Sequence, residues 1–183
     1  ERDATQCHKC REGLYAPAQA MSTCKGCELG RYQPSNGTTS CRYCLPGLFA
    51  PVTHHPNCRL CLVGMWNNEL ERSDCTNCSA GLYEETEGQR NCTKCSSGMY
   101  GLAVGSPVRI CIQCDLGRFQ DLRGQAVCQL CSVGQHQGSK EQSSCSLCDS
   151  GKFQAYREQS SCTACDLGRS NGEAGQSDCT DCA

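Results

Sequence analysis

The chain has 183 residues, of which 22 are cysteine, and its formal net charge is −2 at pH 7. Leu, Ile, Val and Phe together contribute only 25 residues, which is too few to fold a chain of this length by apolar burial alone. Ordering the backbone costs about 1–2 kcal/mol per residue, so covalent or metal cross-links are expected to offset that cost. The interspersed charges give no surface for electrostatic capture of nucleic acid. No apolar stretch approaches the ~20 residues of a membrane span.

Every cysteine lies in a Cys-x-x-Cys pair, and the eleven pairs repeat every 17 residues except for one step of 19 between Cys92 and Cys111. The two extra residues fall in segment 101–107, which is predicted to form a longer surface loop. Such self-similarity predicts an array of small stacked units. Residues 1–183 are therefore predicted to be a single tandem array of about ten repeats. The array is expected to be cut mid-repeat at its N-terminal end, because only six residues precede Cys7.

A glycine and an aromatic residue keep the phase of the cysteines. The glycine comes three residues after the second cysteine of each of the first ten pairs, and two residues later an aromatic follows in eight of them. We interpret each couple as one packing site, with the glycine at a positive φ angle or a close backbone approach. The couples are Gly13/Tyr15, Gly30/Tyr32, Gly47/Phe49, Gly64/Trp66, Gly81/Tyr83, Gly98/Tyr100, Gly117/Phe119 and Gly151/Phe153, and the two remaining are Gly134/His136 and Gly168/Ser170.

A polar, turn-rich segment precedes each new pair. Glycine stands four residues before the first cysteine in four repeats, and glutamate takes that place in two nearly identical ones. These positions are Gly37, Gly88, Gly124, Gly175, Glu141 and Glu158. No segment shows helical periodicity over 11 or more residues. The expected fold class is therefore a small disulfide-rich repeat, an elongated solenoid-like rod of 17-residue modules with short irregular β segments and little helix.

Two regular disulfide schemes fit the spacing, since a bridge within one Cys-x-x-Cys suits redox chemistry better than a scaffold. In the crossed scheme, adjacent pairs join first-to-first and second-to-second, which leaves one of the eleven pairs over. In the staggered scheme, Cys7 and Cys182 remain for flanking repeats or another chain. The staggered bridges are Cys10–Cys24, Cys27–Cys41, Cys44–Cys58, Cys61–Cys75, Cys78–Cys92, Cys95–Cys111, Cys114–Cys128, Cys131–Cys145, Cys148–Cys162 and Cys165–Cys179.

The segment from Cys10 through Gly13 and Tyr15 to Cys24 resembles the first module of tumour-necrosis-factor-receptor cysteine-rich domains. In tandem, the repeats also resemble the ephrin-receptor-like cysteine-rich repeats of extracellular proteins. The resemblance covers the whole chain, and it implies the intramodule bridge of those families and hence the staggered scheme. The chain lacks the second, six-cysteine part of a tumour-necrosis-factor-receptor domain.

The Cys-x-x-Cys pairs are also compatible in type with metal and redox sites. Cys-x2-Cys-x13-Cys-x2-Cys is close to the spacing of four-cysteine zinc sites. Each such site would take two pairs, however, and eleven pairs leave one over. Redox catalysis requires a low-pKa thiolate at a helix start, which no segment offers. Histidine does not recur with the repeat, so we assign surface or packing roles to His8, His54, His55 and His136. We expect no enzyme activity, cofactor or metal.

Three Asn-x-Ser/Thr sequons, at Asn36, Asn77 and Asn91, are candidate N-glycosylation sites and agree with a secretory route. The leading hypothesis is an extracellular structural protein, such as a stalk, cell-coat component or filament subunit, partnered by copies of itself or flanking repeats. The alternatives are a receptor- or adhesin-type ectodomain that binds a protein ligand and, more remotely, an intracellular zinc-binding protein. An apolar patch concentrated around Trp66 would favour the ectodomain.

Overall fold

Ten two-stranded antiparallel hairpins make up the computed structural model, which describes residues 9–18, 21–102 and 111–182. Cys7, His8 and most of the longer loop lie outside the described residues. The strands are β1 (Leu14–Tyr15), β2 (Lys25–Gly26), β3 (Arg31–Tyr32), β4 (Arg42–Tyr43), β5 (Leu48–Phe49), β6 (Arg59–Leu60), β7 (Met65–Trp66), β8 (Thr76–Asn77), β9 (Leu82–Tyr83), β10 (Thr93–Lys94), β11 (Met99–Gly101), β12 (Cys111–Gln113), β13 (Arg118–Phe119), β14 (Gln129–Leu130), β15 (Gln135–His136), β16 (Ser146–Leu147), β17 (Lys152–Phe153), β18 (Thr163–Ala164), β19 (Arg169–Ser170) and β20 (Thr180–Asp181). No helix occurs in the described ranges.

Each hairpin forms because the phased glycine turns the chain immediately before the first strand. Gly47 has φ 86°, a left-handed conformation that side chains disfavour. The strand Leu48–Phe49 follows it and pairs with Arg59–Leu60, and the Cys61 amide closes the ladder by donating to the Gly47 carbonyl at 2.9 Å. A two-stranded hairpin is marginal in water by itself, so these hairpins depend on cross-links and on contacts with neighbouring hairpins.

Ten disulfides provide the cross-links, and their pairing is the staggered one. They join Cys10–Cys24, Cys27–Cys41, Cys44–Cys58, Cys61–Cys75, Cys78–Cys92, Cys95–Cys111, Cys114–Cys128, Cys131–Cys145, Cys148–Cys162 and Cys165–Cys179. Each disulfide loop is called a module below, numbered 1 to 10 in that order. The buried apolar residues are ten cysteines and Ala50, so the core of the described part is a row of sulfur bridges. The prediction of a small disulfide-rich repeat with short strands and little helix is confirmed.

The chain divides into two compact units. Unit 1 comprises Glu1–Cys78 and Glu84–Cys92, and unit 2 comprises Ser79–Tyr83 and Thr93–Ala183. The exchange of a short segment means that the boundary falls inside one module rather than between two.

Backbone hydrogen bonds join each module to the next within a unit. In unit 1 the Gly47 amide donates to the Asn67 carbonyl of the following module at 2.7 Å, and the Glu71 amide donates back to the Cys44 carbonyl at 3.0 Å. The same bonds recur in unit 2, where the Gly134 amide donates to the Gln154 carbonyl at 2.8 Å. These bonds satisfy polar groups that the two-residue strands leave unpaired.

The hairpin of module 6 is longer than the others, and Tyr100 departs from the predicted pattern there. Tyr100 is the middle residue of β11 and lies opposite Ile112, whereas the other phased aromatics end a two-residue strand. The 19-residue step adds the pair Gly101 and Cys111 to this ladder. Gly101 is buried, and its amide donates to the Gln125 carbonyl at 3.0 Å. Tyr100 is half-buried like the other phased aromatics, and its packing role stays a prediction. Gly101, which was predicted to open the longer loop, is the last residue of β11, and residues 103–107 lie outside the described residues.

Contacts also reach the next module but one, which the repeat pattern had not predicted. In unit 1 a Cβ atom on Gly30 would lie 2.0 Å from the carbonyl oxygen of Glu71, two modules later. In unit 2 a Cβ atom on Gly134 would lie 1.9 Å from the carbonyl oxygen of Gly175. The phased glycine is therefore required twice, for its φ angle and for this backbone approach. Gly151 of module 9 has the same conformation, with φ 77°, yet no atom lies within 4 Å of its Cβ position.

The residue that contacts this glycine is itself left-handed, whatever its side chain. At four of these positions, which lie four residues before a first cysteine, φ is between 61° and 65° without glycine. The residues are His54, Glu71, Glu141 and Glu158. A left-handed conformation costs a non-glycine residue roughly 1–2 kcal/mol. The conformation persists because the amide of each residue donates to a cysteine carbonyl of the preceding module, at 2.9–3.0 Å.

A buried amide side chain fixes the loop of several modules. Gln120 is 2 % exposed; its Nε2 donates to the Val127 carbonyl at 2.7 Å, and its Oε1 accepts from the Leu122 amide at 3.1 Å. Gln33 and Gln154 make the equivalent bonds at the same position of their modules. These glutamines follow the aromatic slot directly, and the sequence interpretation missed them because polar side chains usually face solvent.

Replacing Gln120 by alanine is expected to lower the free energy of unfolding by about 2 kcal/mol, because the Val127 carbonyl and the Leu122 amide lose their partners in two part-buried hydrogen bonds. Guanidinium denaturation with the disulfides intact measures this, together with hydrogen exchange at the Leu122 amide. Gln142→Ala is the matched control, since its side chain bonds only to the Lys140 carbonyl near the surface and should cost less than about 0.5 kcal/mol. Equal losses for the two variants would contradict the assignment.

Candidate functional site

Modules 1 to 3 of unit 1 also contact the module two places later, and this contact is called a seam below. In several of these seams, the second strand of a hairpin contacts the left-handed residue two modules later. Where that residue is Gly88, the Leu60 side chain fills the space, within 2.6 Å of the Cβ position. Where it is His54, the opposing residue is Gly26, and a Cβ there would lie 2.2 Å from the imidazole Nε2. Large and small residues therefore alternate across the seam in a complementary way.

Unit 2 has the same complementarity in its own seams. The aliphatic part of Lys94 packs 3.2 Å from the Cβ position of Gly124, and Leu147 packs 3.0 Å from that of Gly175. Where the left-handed residue is Glu141, its carboxylate accepts a hydrogen bond from Gln113 Nε2 at 2.7 Å. Long side chains face glycine and hydrogen-bonding side chains face glutamate, so each seam accepts one partner better than another.

Ion pairs cross the seams at two equivalent positions. Arg31 bonds to Glu71 in unit 1, and Arg118 bonds to Glu158 in unit 2 through Nε at 2.6 Å. The hydrogen bond to Glu71 raises the pKa of Arg31 above its ordinary value. All four side chains are at least one third exposed, and exposed pairs contribute little stability. They therefore serve better to select the partner than to hold it.

A further ion pair in unit 2 joins the start of one module to the turn of the next. Lys140 Nζ lies 2.7 Å from Asp115 Oδ1. The hydrogen bond from this lysine lowers the pKa of Asp115 below its ordinary value. Because the folded pKa is the lower one, this contribution is present above the unfolded pKa and is lost as the pH falls through the folded one.

A cleft of about 280 Å³ opens in unit 1 between the hairpins of modules 1 and 2. Its lining residues are Tyr15, Glu28, Arg31, Ser40, Cys41 and Tyr43. Arg31 and Tyr43 are cross-strand partners in β3 and β4, and the guanidinium carbon lies 4.7 Å from the centre of the Tyr43 ring. Tyr43 is 50 % exposed, so part of its surface remains open to the cleft.

The phased aromatic residues occupy first strands throughout, and each of them is half-buried rather than part of the sulfur core. Trp66 is one of this series, and it also forms an isolated β-bridge with Gln89. Large exposed apolar side chains are spread through both units rather than gathered around Trp66; Leu62 near it is 57 % exposed, but Leu122 is equally so. The concentrated patch that would mark one protein-binding surface is not found among the described residues. The half-buried series is Tyr15, Tyr32, Phe49, Trp66, Tyr83, Tyr100, Phe119 and Phe153.

All three sequon asparagines are exposed. Asn36 lies in the turn before Gly37, Asn77 in strand β8, and Asn91 directly before Cys92. The central residue of the second sequon, Cys78, is 8 % exposed and bonded to Cys92. Glycosylation of these residues remains a prediction.

The cysteine chemistry of the described part is that of disulfides. Cys182 is a free, exposed thiol, and Cys7 lies outside the described residues. Within residues 9–18, 21–102 and 111–182 no group of three or more His, Cys, Asp or Glu side chains could hold a metal ion. No helix among those residues could cross a membrane.

The fold and its bridges define a class: the protein is a tandem array of cysteine-rich repeats, each closed by its own disulfide. Residues 67–109 match the family model described as tyrosine-protein kinase ephrin type A/B receptor-like. The matched segment spans two Cys-x-x-Cys pairs and includes most of the 19-residue step between Cys92 and Cys111. No curated protein matches the chain.

Proposed function

We propose that the protein is an extracellular, non-catalytic structural segment that keeps its length under load. The observation that carries this is the covalent path: successive bridges enclose every loop, so tension passes through short Cys-x-x-Cys segments and sulfur bridges. Disulfides of this density persist in oxidising compartments and not in the cytosol. A stalk, a cell-coat component or a filament subunit would use this property.

The second candidate is an ectodomain that binds a protein ligand. The match of residues 67–109 to a family model favours it, because that model is described as ephrin type A/B receptor-like. Against it, exposed apolar side chains are distributed along both units, as in a scaffold whose modules are equivalent.

Electron micrographs test the filament form of the first candidate. Isolated monomers at all protein concentrations would count against it.

Alkylation of the unreduced, secreted protein followed by mass spectrometry tests the oxidised, extracellular state. We expect at most two thiols to react, Cys7 and Cys182, and no zinc in a metal assay of the same sample. Peptide mapping should then recover the staggered bridges. The proposal fails if most of the 22 cysteines react and several zinc ions accompany each chain, since that is the behaviour of an intracellular metalloprotein.

A further inference from the structure

The cleft between modules 1 and 2 has more hydrogen-bonding capacity than the protein uses. The Glu28 carboxylate makes no hydrogen bond or ion pair with any residue that the structure describes. Arg31 has five N–H donors, and the bond to Glu71 uses Nε. The Ser40 hydroxyl is likewise without a partner in the described part of the chain. Acceptors, donors and a hydroxyl are thus available together, beside two tyrosines.

The charges around the cleft balance. Among the lining residues, Arg31 is the one cation and Glu28 is the one carboxylate. One charge of each sign gives no preference for an anionic or a cationic ligand. A neutral ligand whose groups both donate and accept hydrogen bonds fits this lining better than an ion does.

The aromatic side chains and the volume restrict the ligand further. Tyrosine offers an apolar ring surface with a polar hydroxyl at its edge, which suits a ligand with an apolar face and a polar rim. A cleft of about 280 Å³ is at the small end of ligand sites and holds one six-membered ring. We propose that this cleft binds a neutral pyranose ring, such as the terminal sugar of a glycan.

Module 7 of unit 2 has the same scaffold without this lining, although Ser144 and Ser161 repeat the hydroxyl of Ser40 in modules 8 and 9. Arg118 pairs across the hairpin with Leu130, where unit 1 has Tyr43. Val127 takes the place of Ser40, and the carboxylate equivalent to Glu28, Asp115, is bonded to Lys140. The repeat therefore folds with apolar side chains at these positions, and unit 1 has a free carboxylate, a hydroxyl and a second aromatic ring instead.

Titration of the ¹⁵N-labelled, oxidised 183-residue chain with methyl pyranosides of glucose, galactose, mannose and N-acetylglucosamine tests the proposal. At least one sugar should give saturable amide shifts confined to segments 28–31 and 40–43, with a Kd of about 1–10 mM, because one ring makes few contacts. The equivalent segments 115–118 and 127–130 should not shift. The double variant Ser40→Val/Tyr43→Leu, which installs the residues of unit 2, should bind at least about tenfold more weakly.

Tyr156→Leu is the matched control, since it removes a tyrosine that is 73 % exposed in unit 2 and should leave the affinity unchanged. If the double variant loses its amide dispersion, Glu28→Gln keeps the side-chain size and should weaken binding by about threefold. The proposal is overturned if no sugar gives saturable shifts up to about 50 mM, which is about five times the weakest Kd expected. It is equally overturned if n-butylammonium or acetate saturates the cleft and the sugars do not, or if the variants bind as tightly as the parent. None of these results bears on the alkylation test of the structural proposal.

Discussion

Pulled from its two ends, the oxidised chain should reach about 150 Å between Cys10 and Cys179, against about 590 Å after reduction. Each repeat then contributes only three residues of backbone and one bridge, whose Cα atoms are 5.5–5.8 Å apart. The loop of each module is bypassed, so it adds nothing to the extended length. Single-molecule force spectroscopy, with handles attached through terminal peptide tags, measures both lengths directly.

The same trace distinguishes the two disulfide schemes. Crossed bridges would leave every second inter-pair segment free to extend and would give about 320 Å between the same two cysteines. The reduced protein is the internal control, because its length does not depend on the pairing. An oxidised length near 320 Å would refute the staggered scheme, and no change on reduction would refute the bypassed loops themselves.

Gly134→Ala should lower the free energy of unfolding by at least about 3 kcal/mol, whereas Gly151→Ala should lower it by about 1 kcal/mol. The two glycines have φ angles of 75° and 77°, so the strain of a left-handed alanine is common to both. Only at Gly134 would the new methyl group meet a backbone carbonyl, that of Gly175, at 1.9 Å. Backbone cannot move aside as a flexible side chain can, so the seam with module 10 must open.

Denaturation with the disulfides intact gives the two free energies, and hydrogen exchange locates the loss. Gly134→Ala should expose the Gly175 amide, which donates to the Cys148 carbonyl at 2.7 Å in the parent. Gly151→Ala should leave that amide protected. Should both variants lose the same free energy, the contact between a module and the next but one would not exist in solution.

The hairpin and its bridge could be predicted from the sequence because both are local. The 17-residue period, the phased glycine and the turn residues all act within one module, and Gly47 does have the positive φ expected of it. Glu141 and Glu158 were recognised as substitutes for glycine before a cysteine, and both are left-handed like it. His54 and Glu71 also stand four residues before a first cysteine and are left-handed. The residues around them differ from those around Glu141 and Glu158, so only their distance from the cysteine could have identified them.

The one irregular hairpin shows where that local pattern stops being sufficient. The two extra residues before Cys111 could be assigned to a loop from their Gly, Ser and Pro neighbours. The sequence did not indicate that part of the insertion would extend the ladder and leave Tyr100 in mid-strand. Whether an inserted residue joins a strand depends on the partner strand opposite it, which the repeat period does not specify.

The seams could not be predicted, because a repeat length does not say how far each module rotates from the last. That rotation decides which modules meet. Once the contact is known, the pairs Gly26/His54 and Leu60/Gly88 are both 28 residues apart, and the matching of sizes becomes visible in the sequence. The cleft could not be predicted for another reason, which is that its polar residues occupy ordinary positions of the repeat. They differ from their unit 2 counterparts only in chemistry, as Tyr43/Leu130, Ser40/Val127 and Glu28/Asp115 do.

The matched seams also bear on how such a gene can change its number of repeats. Unequal recombination that removed residues 28–44 would remove one phased glycine and one bridge, and it would leave the remaining cysteines and phased glycines in register. It would nevertheless place His54 opposite Lys9 and Glu71 opposite Gly26, so a bulky ring would meet a long cation in place of the glycine that now makes room for it. Loss or gain of a single copy should therefore destabilise the mismatched seam even though the reading frame and the register of the cysteines survive.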